Sequence, residues 1–181
     1  MKIDIKSSIL VALYAATIPA ANWLIGNAGT VCVPQGPCLI PVFPGVMAPS
    51  GVLMIGAALV LRDLVQRRSG ALVSLACVLV GAALSALLAP AALVVASGAA
   101  FLFSELADFA VYTPLAKKRF ALAVSLSCIV GAIVDSALFL WLAFGSLAFI
   151  EGQIIGKAYA AIVFLLWRLA TARSATAHVD R

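Results

Sequence analysis

AFLFSELADFAVY, residues 100–112, decides the fold of this chain. The run around it is apolar enough to cross a bilayer, yet it holds both Glu105 and Asp108. A carboxylate at bilayer depth is expensive and persists only where it faces protein or water, so it marks a functional site by default. Working outward, the chain holds five more apolar stretches of membrane length. GAIVDSALFLWLAF holds Asp135, and the last stretch opens with Glu151 and carries Lys157.

Composition agrees. With 65% hydrophobic and 10% charged residues in 181, the chain lies far from the roughly 25% charge of soluble domains. A span needs about 20 apolar residues to cross a hydrocarbon core of about 30 Å. We therefore expect an all-α integral membrane bundle of six transmembrane helices. The spans are expected at residues 8–25, 43–64, 71–88, 91–115, 120–144 and 149–170, forming one domain over 1–170. A polar tail covers 171–181, and the only histidine, His178, lies in it as a solvated group. The first span is expected to be retained rather than cleaved as a signal peptide.

The net charge of +5 reports orientation rather than a nucleic-acid partner. Eleven of the twelve basic residues fall at alternate ends: Lys2 and Lys6, then Arg62, Arg67 and Arg68, then Lys117 to Arg119, then Arg168, Arg173 and Arg181. The intervening loops carry no lysine or arginine. This positive-inside pattern places both termini in the cytoplasm, expected to be that of a bacterium with the chain in its inner membrane. On the opposite side, residues 26–51 are uncharged and hold Pro34, Pro37, Pro41, Pro44 and Pro49. Apolar irregular backbone at membrane depth is tolerated only where it packs on protein or lines a cavity. Two readings stay open: a cap folded over a central pocket, or a poorly ordered loop. Cys32 and Cys38 lie there with five residues between them, a disulfide candidate on the oxidising side or else two free thiols. Cys77 and Cys128 fall within spans as small packing residues. The third and fourth spans meet at Ala89-Pro90, too short for anything but a tight hairpin. Small residues recur at fourfold spacing in Ala12–Ala16–Ala20, Ala92–Ala96–Ala100 and Gly152–Gly156–Ala160, faces on which helices approach closely.

Helical spacing sorts the polar residues. Phe101, Glu105, Asp108 and Tyr112 form one stripe on span four, with Ser97 above and Ser104 beside it. Gly131, Asp135 and Phe139 share a face of span five. Gln153, Lys157 and Phe164 share one of span six. Three helices that each present an aromatic and an ionisable group fit a central pocket. At about 1.5 Å of rise per residue, Asp135 and Lys157 reach nearly equal height, and a pair there is cheaper than two isolated ions. The alternative, a structural staple between two helices, stays open. Arg62, at the basic end of span two, is expected as an interfacial anchor, and Asp63 beside it as a gate candidate. Asn22 offers its amide either to a pocket or to its own helix. No phosphate loop, metal-ligand spacing or nucleophile elbow is present, so we expect no enzyme, no metal and no cofactor. Paired aspartates of an intramembrane protease lack their flanking signals.

With these residues in view, the chain resembles the vitamin-uptake-transporter family, whose characterised members import queuosine precursors. The resemblance rests on Asn22, LVLRD, VVASGAAFLFSELAD followed by VYTPL, GAIVDSALFLWLAF and GQIIGKAYAAIVF. Some members carry Gly-Asn-x-x-Asp in span five, where this chain has Ala132 in the asparagine position. It implies six helices similar to the substrate-binding subunits of energy-coupling-factor importers, and a 7-deazaguanine ligand in an aromatic-lined pocket. A guanine edge presents adjacent N–H donors that a carboxylate accepts as a pair. Glu105 is the first choice for that role, Asp108 or Asp135 the second, with Lys157 and Gln153 as donors to the ring carbonyl. The expected partners are this small molecule and the lipid bilayer, and a homodimer stays open. Two other classes also stay open: a binding subunit that needs a separate energising module docked on the Ala12–Ala16–Ala20 face, and a non-transporting scaffold.

Overall fold

The computed structural model describes residues 5–34, 36–89 and 93–177, with side chains to residue 167. Lys2, Pro90, Ala92, His178 and Arg181, invoked above, lie outside the described residues, as do the side chains of Arg168 and Arg173. Six helices form: α1 (Ile5–Asn27), α2 (Val52–Ser69), α3 (Ala71–Leu88), α4 (Val94–Ala116), α5 (Phe120–Phe144) and α6 (Ile150–Ala177). All but α2 are long and apolar enough to cross a membrane. The α2 helix carries Arg62, Asp63, Arg67 and Arg68, and half of its residues are buried inside the bundle. A helix sheltered from lipid by its neighbours does not need a uniformly apolar surface.

The second span differs from expectation at both ends. It starts at Val52, not residue 43, because residues 43–49 belong to a small antiparallel sheet. Strands β1 (Val31–Cys32), β2 (Cys38–Phe43) and β3 (Val46–Pro49) pair in that order. The Pro44-Gly45 turn, with Gly45 at φ +77°, makes the β2–β3 hairpin. Proline pre-sets the first turn position, and only glycine takes the positive φ at the second without strain. Cys32 stands opposite Cys38 across β1 and β2, and the two are disulfide-bonded. The helix then runs on to Ser69 because Arg62 and Asp63 are interior rather than interfacial.

The sheet lies against the bundle as a cover. A Cβ on Gly152 of α6 would fall 2.1 Å from the Met47 carbonyl oxygen, so α6 admits β3 only because that residue is glycine. Tyr159 Oη donates to the Val42 carbonyl, and Ser50 Oγ donates to Leu24 O of α1 at 2.7 Å. Deeper in the bundle, α4 and α5 share the most extensive helix–helix interface. Gly56 of α2 lets α6 approach so closely that a Cβ there would sit 2.6 Å from Lys157 O. The Gly152–Gly156–Ala160 face is thus used within the chain. Ala12 and Ala16 of the α1 face are exposed instead.

Candidate functional site

Beneath the sheet a cavity of about 490 Å³, partly open to solvent, receives residues from all six helices. Its aromatic walls are Phe101 of α4 and Phe139 of α5. Asn22, Ser97, Asp135 and Gln153 supply polar groups, and Pro49 with Gly51 closes the sheet side. The lining is mostly apolar with a few placed polar groups, the character of a small-molecule site. Phe101 is fixed from behind by Tyr14 at 6.3 Å between ring centroids. Asn22 gives one amide hydrogen to Ile18 O at 3.0 Å, so it serves its helix and the cavity wall together.

Asp135 is held by Lys157, whose Nζ lies 2.6 Å from Oδ2. The ammonium also donates to Ser136 Oγ at 2.8 Å and to Gln153 Oε1. An ammonium has three N–H donors and no acceptor, so these three partners use all of them. Lys157 therefore has no donor left for a ligand. The same contact fixes the Gln153 amide, because only its oxygen can face an ammonium, and leaves its NH₂ as the donor. Asp135 Oδ1 keeps only a long contact, 3.5 Å from Ser104 Oγ, whose proton has Phe101 O as a nearer acceptor at 3.0 Å. Thus the residues that line the cavity include a carboxylate, an amide and two aromatic rings.

Several expectations are corrected at this point. Glu105, Asp108, Ser104 and Lys157 do not line the cavity. Glu105 and Asp108 turn instead to Arg62, which is wholly buried and not an interfacial anchor. Arg62 Nη2 meets Asp63 Oδ1 at 2.7 Å and also Asp108 Oδ1, while Nε lies 3.3 Å from Glu105 Oε2. Nη1 donates to Gln66 Oε1 at 2.7 Å, and Gln66 passes a hydrogen bond to Thr113 Oγ1 at 2.9 Å. Ser127 Oγ of α5 donates to Asp63 Oδ2 at 2.8 Å. Arg62 also stands over the rings of Phe109 and Tyr112. This charged knot joins α2, α4 and α5 on the side of the cavity away from the sheet. Sequence reasoning missed it, together with Gln66 and Ser127. One signal was available: four intramembrane carboxylates against a single lysine leave an excess that only another buried cation can offset.

A bundle of apolar helices around a polar, ring-lined cavity defines a multi-pass α-helical membrane protein. The sequence profile described as "Putative vitamin uptake transporter" matches residues 71–172, more than half the chain. The protein belongs to that family. Neither a curated protein nor a solved structure matches it.

Proposed function

We propose that the protein imports a 7-deazaguanine queuosine precursor, such as 7-cyano- or 7-aminomethyl-7-deazaguanine, across a bacterial inner membrane through the cavity beneath the sheet. The observation that carries this reading is that Asp135 and Gln153, both held by Lys157, line one cavity with Phe101 and Phe139. A guanine edge presents ring N–H and exocyclic amino donors beside a carbonyl acceptor. A carboxylate takes the donors, and an amide NH₂ satisfies the carbonyl. Flanking rings stack on any flat heterocycle, adding affinity without base selectivity. Asp135 thereby takes the reading role expected of Glu105, and Lys157 supports it by fixing both Asp135 and Gln153. The Arg62 knot closes the route toward the basic end of the bundle, and the sheet covers the opposite side. Passage requires that knot to part, which is the gate role for Arg62 and Asp63.

Thermal-shift and uptake screens with 7-deazaguanines, guanine and vitamins test the ligand class. A double-mutant cycle tests the contact. Leaving a buried hydrogen-bonding group unpaired costs about 1–3 kcal/mol, so Asp135→Asn weakens 7-deazaguanine binding roughly tenfold or more. An analogue without the 2-amino group binds the parent poorly and loses less on mutation. The cycle cancels any effect of the mutation that both ligands share. Equal losses for the two ligands would remove Asp135 from that role.

A further inference from the structure

Around Arg62 the charges do not balance. Asp63, Glu105 and Asp108 bring three carboxyls against one guanidinium, and none of the four residues is more than 1% exposed. Of the other groups facing this knot, Tyr112 of α4, Cys128 of α5 and Tyr14 of α1 are uncharged, and Asp135 of α5 faces Glu105. Cys77 of α3 stands behind Tyr14, and Lys157, the buried cation among the described side chains of α6, is already occupied by Asp135. A buried charge without a partner costs far more than a neutral group of the same shape, so such a site binds a cation or neutralises itself.

Geometry selects the oxygen. Asp63 Oδ2 accepts from Ser127, while Asp63 Oδ1 and Glu105 Oε2 stand against Arg62 as ion pairs without hydrogen-bond geometry. Asp108 Oδ1 meets Arg62, but Asp108 Oδ2 is buried and has no hydrogen-bond partner among the described residues. It faces Gly131 of α5, where an added Cβ would stand 3.3 Å away, and Ser127 and Asp63 lie beside the same carboxyl. Asp63 and Asp108 each bring an oxygen, and Cys128 its sulfur, to within 4.8 Å of one another. Beside them, the buried Tyr112 hydroxyl also lacks a partner.

We infer that Asp108 Oδ2 carries an exchangeable proton, making the Arg62 knot a proton-binding site separate from the ligand cavity. Loading forms one O–H bond on Asp108 with a proton taken from the aqueous phase, and unloading returns it, so no other reactant is needed. The protonated oxygen becomes a donor among acceptors, and the knot loses one of its two surplus negative charges. Parting the knot to let solute through exposes this carboxyl, so proton exchange and gate opening are linked.

Infrared spectroscopy of the ligand-free, detergent-solubilised full-length protein tests the site without any transported solute. It is therefore independent of whether 7-deazaguanine is the cargo. The expected result is a protonated-carboxyl C=O band at neutral pH that shifts in D₂O. It is kept in Asp135→Asn and lost in Asp108→Asn. Should Asp108→Asn not fold, Cys128→Ala serves instead and moves the band, because that thiol sits in the same knot. No such band from neutral to mildly acidic pH, a band that survives Asp108→Asn, or one unmoved by Cys128→Ala would overturn the inference. So would removal of the band by sodium at fixed pH, which would assign the site to a metal cation.

Discussion

At the scale of single residues, the bundle pairs its charges in two separate places, and the two respond differently to substitution. Lys157 and Asp135 are nearly isolated from other ions, and each is the other's counter-charge. Removing one partner of a buried pair strands the other and typically costs about 3–5 kcal/mol. Lys157→Met or Asp135→Asn alone is therefore expected to lower unfolding stability in detergent by that order, and the double substitution to recover most of it. Additive losses in denaturant titrations would show that the pair is not coupled. The sequence made this pair legible, because both residues sit at matching depth on neighbouring spans. It did not reveal where each remaining carboxylate points. Glu105 and Asp108 share a helical stripe with Phe101, which lines the cavity. The crossing of α2 lets Arg62 reach both acids from the side, and helical periodicity within α4 carries no information about that crossing.

At the scale of elements, helices α3 to α6 follow from hydropathy, because an uninterrupted apolar run must satisfy its backbone internally and the helix does so. The same principle has a second solution, strands paired to one another, and residues 31–49 take it under the protection of α1 and α6. Short strands rich in proline leave little periodic signal, so a cap was legible in its apolar composition while its β-structure was not. The cover is held chiefly by close backbone approach, which makes it sensitive to a single methyl group. Gly152→Ala places a Cβ 2.1 Å from Met47 O, and the carbonyl cannot rotate away without breaking the β2–β3 register. Overpacking of this kind costs typically about 1–3 kcal/mol. The expected outcome is a lower Tm and faster amide exchange in residues 38–49. Gly26→Ala, with nothing within 4 Å of the new methyl, is expected to change neither. Unaltered exchange in Gly152→Ala would mean that α6 does not hold the sheet.

At the scale of the whole molecule, the two polar centres lie at different depths, the cavity under the sheet and the charged knot toward the basic ends of α2 and α4. If the positive-inside asymmetry sets the orientation, the sheet and its disulfide face outward and the knot guards the cytoplasmic side. A solute would then enter from outside against Phe101 and Phe139 and leave only when Arg62 releases the acids of α4. The converse orientation would turn the same architecture into an exporter, so topology decides the direction of transport. Cys32, in the exposed strand β1, and Cys38 are bonded to each other, whereas Lys118 is exposed at the turn between α4 and α5. After mild reduction of intact cells, a membrane-impermeant thiol reagent is expected to label Cys32. In a variant lacking Cys32 and Cys38, the same reagent is expected to label Lys118→Cys only once the membrane is permeabilised. Cys77 and Cys128, one facing the bundle interior and one buried in it, contribute little background. Labelling of Lys118→Cys in unbroken cells would reverse the membrane orientation, and with it the assignment of import.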